Sequence, residues 1–240
     1  SNLAGSSSRG PAADGRIKPD VGAKGTSVNS TLPNNTYDSF TGTSMACPGV
    51  AGCMAQLYQA YKELNGNVNP PSALMKCVVL NSADDLGNPG PDFKHGWGEI
   101  NVLRGLSILE NVNYESGTIS QGQDEDHNIN VPAGTKEIKV MVYWHDKEAS
   151  TNASIALVND LDIRVDNGTS FEPWRLTAVN ANGTGDNLVD PYERVDVNGA
   201  TGFYTVTVTH KGNIGSGQNF TLIVTGASEG AATPQIGFNS

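Results

Sequence analysis

The spacing of apolar residues changes partway along this chain. From about residue 119 apolar and polar positions alternate: Ile138, Val140, Val142 and Trp144 interleave with Glu137, Lys139, Met141 and Tyr143. Tyr204, Val206 and Val208 interleave with Thr205, Thr207 and Thr209, and Phe220, Leu222 and Val224 with Thr221, Ile223 and Thr225. A period of two with β-branched enrichment, bounded by Gly and Asn turns, predicts half-buried antiparallel strands. About eight such strands fit into 119–227, which suits an all-β antiparallel sandwich or jelly roll. Residues 228–240 are small and polar and read as a flexible tail. Earlier in the chain the pattern is helical. One helix is expected from about Ser44 to Leu64, stopped by Asn65-Gly66, and a second from Ser72 to Ser82 after Pro70-Pro71. Asn101 caps a third, running to Leu109, and the polar stretch 111–118 reads as a boundary.

Composition narrows the function classes. The 240 residues allow one large domain or two modest ones. Only 17% are charged, so the surface relies on Asn, Ser, Thr and Gly, as in loop-rich secreted proteins. The 37% apolar content, in periodic runs, separates the chain from disordered sequences. A net charge of −10 leaves no basic face for phosphates, which argues against nucleic-acid binding. No apolar run approaches the roughly 20 residues of a membrane span. Cys47, Cys53 and Cys77 lack metal-ligand spacing and read as small buried apolar residues.

The chemistry-bearing stretch is Gly42-Thr43-Ser44-Met45-Ala46, followed by the small residues Cys47, Gly49, Ala51, Gly52 and Ala55. It places a serine at the start of a tightly packing helix. There, unpaired backbone N–H groups and the positive end of the helix dipole can stabilise negative charge built up during acyl transfer. Pro48 has no N–H for the Ser44 carbonyl, which loosens the first turn. A nucleophilic serine is one reading; a Thr-Ser cap on a buried helix is the other.

Wider context favours the first. Upstream stand Ser6-Ser7-Ser8-Arg9-Gly10-Pro11, Asp14 to Val21 and Gly25, and downstream His95-Gly96-Trp97-Gly98-Glu99-Ile100-Asn101. In this order the segments resemble the C-terminal part of the catalytic domain of subtilisin-like serine proteases, the subtilases. Leu157 to Asp162 and Gly202 to Val206 resemble the β-rich C-terminal domain of alkaline proteases of the KP-43 type. The resemblance implies an α/β portion of a parallel-sheet domain over 1–110, then the β domain over 119–227. It also implies hydrolysis of protein or peptide substrates by a secreted or cell-envelope endopeptidase, through an acyl-enzyme on Ser44. Lys24 stands where the family usually has proline, and Cys47 where it has threonine or serine; neither position carries the chemistry.

A serine hydroxyl needs a neighbouring base, itself held by a third group. Subtilisin is one of the type cases of this triad, with chain order Asp, His, Ser. No histidine precedes Ser44; His95, His127, His145 and His210 all follow it. Asp14, Asp20 and Asp38 read as turn or structural carboxylates. The chain is therefore expected to be a fragment, inert alone, whose partner is the missing N-terminal part of the catalytic domain.

Asp160 and Asp162 flank Leu161, Asp146 ends a strand, and Glu193 follows the oxygen-rich loop of Asp186, Asn187 and Asp190. Calcium takes six to eight oxygens, and the resemblance implies calcium in these proteases, with Asp160, Asp162, Asp146 and Glu193 as its ligands here. Asp-Asn pairs also form ordinary turns. The alternative to an enzyme is a β-sandwich binding or structural module attached to a degenerate protease domain.

Overall fold

The computed structural model describes residues 3–178, 181–228 and 237–239. A hairpin of β1 (Val28–Leu32) and β2 (Thr36–Phe40) leads into three helices, α1 (Thr43–Leu64), α2 (Ser72–Ser82) and α3 (Val102–Glu110). Eleven strands follow: β3 (Tyr114–Ile119), β4 (Glu125–Val131), β5 (Thr135–Trp144), β6 (Asp160–Asp166), β7 (Ser170–Phe171), β8 (Trp174–Ala178), β9 (Ala181–Thr184), β10 (Tyr192–Asn198), β11 (Gly202–Lys211), β12 (Gln218–Ser228) and β13 (Gly237–Asn239). The three helices fall where the caps and stops place them. Asn101 caps α3 by accepting from the Arg104 N–H at 2.9 Å. α2 begins at Ser72, with Pro71 in the cap position. Among the described residues no helix is long and apolar enough to cross a membrane.

Two larger antiparallel sheets dominate, ordered β10-β5-β12-β3 and β13-β4-β11-β6-β7. Their facing side chains build one core, including Ile138, Val140, Val142 and Trp144 from β5, Val206 and Val208 from β11, and Phe220, Leu222 and Val224 from β12. This is the apolar set the alternation selects. Gly237–Asn239, inside the stretch expected as a tail, pair with β4, and residues 229–236 and 240 lie outside the described residues.

The opposite face of the four-stranded sheet departs from expectation. Met141 and Ile223, on the face that alternation assigns to solvent, are fully buried. They join Tyr192 and the residues of α2 and α3 in a second core. α2 is apolar nearly all round, and a helix of that kind is covered on every side; here β5 and β12 cover one side of it. Cys77 Sγ lies 3.8 Å from the Met141 carbonyl, and Asn81 Nδ2 donates to Thr225 Oγ1 at 3.1 Å. Full burial of a side chain such as Met or Ile contributes about 1.5–3 kcal/mol. The stretch 111–118 holds all but the last residue of β3 and ties back through the Val224 N–H to Asn113 O at 3.1 Å.

Within 1–110 the described strands are the β1–β2 hairpin, and parallel pairing is limited to one isolated bridge, Gly22 with Glu99. The expected parallel sheet is not formed within this segment, which is chiefly loop around the helices. α1 buries only Leu57 fully, and Cys47 is exposed and Cys53 half-buried. The small-residue face that the sequence marks for close packing lies open: a Cβ at Gly49 or Gly52 would meet nothing within 4 Å. Of the three cysteines expected to be buried, only Cys77 is.

Candidate active site at the head of α1

The head of α1 is fixed by backbone. The turn 95–99 grips segment 20–22: Trp97 N donates to Asp20 O at 3.0 Å, Gly22 N to Gly98 O at 2.7 Å, and Ile100 N to Gly22 O at 2.9 Å. Gly98 has φ +120°, and a Cβ there would sit 1.9 Å from the Asp84 carbonyl oxygen, so no other residue fits the turn. The same segment continues to Gly25, whose carbonyl accepts the Gly42 N–H at 2.8 Å. Gly42 is the N-cap of α1 and offers no capping side chain. Its carbonyl takes the first helical bonds, from Met45 N at 3.0 Å and Ala46 N at 3.4 Å. The Ser44 N–H lies in the first turn, where donors have no acceptor four residues back. Ser44 itself is exposed. The result is an exposed serine in the first turn of a helix whose head is tied down by backbone hydrogen bonds.

A cleft of about 340 Å³ opens beside this head, lined by Ser6, Ser7, Lys24, Gly25, Gly42 and His95, among others. His95 is held by Asp92 through Nδ1, while its Nε2 is buried without a partner. Its backbone N–H and that of Lys94 both donate to Asp92 Oδ1 at 2.7 Å, and its Nδ1 lies 3.3 Å from Asp92 Oδ2. Burial works against the ionised Asp92, but these bonds outweigh it and hold the carboxyl below its ordinary range. The other histidines also have partners away from Ser44. His127 Nδ1 meets Glu115 at 2.7 Å, His145 Nε2 lies 3.5 Å from Ser72 Oγ, and His210 Nε2 accepts the Gly122 N–H at 2.7 Å. The carboxylates weighed as triad acids are likewise engaged. Asp14 pairs with Arg16, Asp20 with Lys18 and Lys76, and Asp38 accepts the Ser39 N–H.

Of the four carboxylates expected to hold calcium, Asp146 and Asp162 lie near enough to Asp160 for their charges to raise its pKa, and Asp162 acts likewise on Glu193. Among the described residues no three His, Cys, Asp or Glu side chains converge as a metal site. Asp146 accepts the N–H groups of Lys147, Val158 and Asn159. Glu193, 1% exposed, accepts those of Ile163 at 2.8 Å and Asn187 at 2.7 Å, while burial pushes its acid well up. Asp162 is ion-paired with Lys211, and Lys211 also reaches Asp186 at 2.7 Å. Asp160 is half-buried with Oδ1 unpaired; burial, then the charge of Asp162, pushes its carboxyl to about 6. The oxygens of Asp146 and Glu193 and one oxygen of Asp162 are thus turned to N–H and ammonium donors, whereas Asp160 Oδ1 is not. Lys211 is the group the sequence reading overlooked. Its signal is a cation at the end of β11, in register opposite Asp160.

Comparison with known proteins bears on this site. Residues 1–98 match the model of the Subtilase family. C5a peptidase of Streptococcus pyogenes is 42% identical over 82 residues, covering 33% of this chain and 7% of that protein. Pyrolysin of Pyrococcus furiosus is 32% identical over 190 residues, 70% of this chain and 13% of its own length, so that similarity reaches beyond the family-model segment. Bacillopeptidase F of Bacillus subtilis is 30% identical over 127 residues, 52% of this chain and 9% of that protein. The chain thus spans a small part of each of these relatives. Among solved structures, a lanthipeptide protease is 33% identical with a TM-score of 0.29, covering 31% of this chain and 22% of that one.

Proposed function

Through residues 1–98 the chain belongs to the subtilase family, and from that premise we propose that Ser44 is the nucleophile of a subtilisin-like serine endopeptidase. The observation that carries this is the placement of Ser44, exposed in the first turn of α1 inside the family-model segment. In the reaction, Ser44 Oγ attacks the scissile peptide carbonyl while its proton passes to a histidine base. That base then gives the proton to the leaving amine, and water hydrolyses the acyl-enzyme. The Ser44 N–H supplies one donor to the tetrahedral oxyanion. The hydrogen-bond and ion-pair partners of the histidines are Asp92, Glu115, Ser72 and Gly122 rather than Ser44, and on this reading base and orienting acid come from outside these 240 residues, so that the chain alone is inert.

The open face of α1 supports the same reading: its glycines and alanines suit burial against the parallel sheet of a complete catalytic domain. We read the two larger sheets as a β-sandwich of jelly-roll type, which buttresses the catalytic part through the shared core of Met141, Tyr192 and Ile223. The substrates are proteins or peptides and the working place is outside the cytoplasm. The test is Ser44→Ala in the full-length protein, assayed on a peptide substrate. The expected loss in kcat is of the order found when subtilisin's own nucleophile is removed, about 10⁶-fold. Retention of activity within tenfold of the wild type would reject the assignment.

A further inference from the structure

We propose that Lys211 is a built-in counter-ion of the β part, filling with its ammonium the place a metal ion would take among Asp160, Asp162 and Asp186. These carboxylates come from two distant stretches, β6 and the loop before β10, and Lys211 closes the gap between them from the end of β11. The strand register sets Lys211 opposite Asp160 and Thr209 opposite Asp162. Lys211, Asp160 and Asp162 therefore project from the same sheet face, and Lys211 Nζ reaches Asp162 and, at 2.7 Å, Asp186 Oδ2. The Asp162 side chain is only 6% exposed, so its charge needs a partner inside the fold. Arg164 completes the arrangement by pairing with Asp186 and donating to the Ile163 carbonyl at 2.8 Å.

The chemistry separates an ammonium from a divalent ion. An ammonium carries one charge and three donors, matched by a few carboxylate oxygens, whereas calcium requires a shell of six to eight. Glu193, which could have enlarged such a shell, spends its oxygens on the Ile163 and Asn187 N–H groups. Carboxylates outnumber cations here: without Lys211, Arg164 alone would offset the charge of Asp162, and the repulsion between Asp160 and Asp162 would grow. Burial opposes the charged amine, but the Asp162 and Asp186 contacts prevail and raise its pKa.

The test is amide hydrogen exchange, read by mass spectrometry on peptides covering β6 and β11 of the full-length protein, so that metal sites elsewhere do not enter. Chelator and millimolar calcium are expected to leave exchange in both strands equal. Lys211→Met is expected to speed it by roughly tenfold or more, and Lys211→Arg, which keeps the charge, to speed it less. Faster exchange of β6 on chelation would overturn the proposal, as would wild-type protection in Lys211→Met or equal loss in the Met and Arg variants. Should Lys211→Met fail to fold, the chelation comparison on the wild type still decides.

Discussion

The guanidinium of Arg194 lies 4.2 Å from the centroid of the Trp97 ring, and the two residues are 1% and 2% exposed. Arg194 comes from β10 and Trp97 from the turn that holds segment 20–22, so this contact joins the β part to the segment that ties down the head of α1. Tyr192 meets the same indole edge-on at 5.9 Å, and Arg194 Nε pairs with Asp196 at 2.7 Å. Arg194→Met would leave the Asp196 charge unpaired in a buried place, at a cost of about 3–5 kcal/mol. Lysine should not rescue it, because an ammonium lacks the planar stacking face. Urea unfolding checks this through a lower midpoint.

The shared core also dictates how the chain comes apart. A piece limited to residues 1–110 would expose the α2 face covered by Met141 and Ile223, and it is expected to show no cooperative melting transition. Within the full chain, Ile223→Ala should cost about 2–5 kcal/mol. Differential scanning calorimetry should show the helical and β parts losing stability together, in one transition.

Gly25 is set by close approach. A Cβ there would lie 2.7 Å from the Gly42 carbonyl oxygen and 3.1 Å from the Ala46 Cβ. Gly25→Ala should push the head of α1 away while leaving the sheets intact. The expected outcome is at least a tenfold slower reaction of Ser44 with a serine-directed probe, since angstrom-scale misplacement costs about 10²-fold, with little change in melting temperature.

Asp160 predicts a pH dependence. Its carboxyl is pushed to about 6 from an ordinary 3.8, so the folded chain binds that proton more tightly than the unfolded chain does. Ionised Asp160 therefore lowers stability above about pH 6, and the loss is recovered as pH falls toward 4. Below that range the gain ends as carboxylates held low, such as Asp20 and Asp186, become protonated. Asp160→Asn should raise the melting temperature at pH 7.5 and flatten the profile between pH 4 and 7.

The helices and strands β5, β11 and β12 were legible because each rests on local signals: Asn101 as a cap, Asn65-Gly66 as a stop, and the alternation along the three strands. The second core was not, because alternation assigns Met141 and Ile223 to solvent, and only the long-range docking of α2 buries them. Lys211 was missed for a related reason. Asp160 and Asp162 look like ligands in sequence, and the ammonium that neutralises them arrives from a strand some fifty residues later. The exposure of Cys47 follows from an open face of α1 that composition alone marks as packed.

The most direct measurement is labelling of the full-length protein with a fluorophosphonate, followed by peptide mapping. The account predicts a single stoichiometric adduct on Ser44 Oγ, lost in Ser44→Ala and after denaturation. An active protein that carries its label on another residue, or none at all, would contradict it.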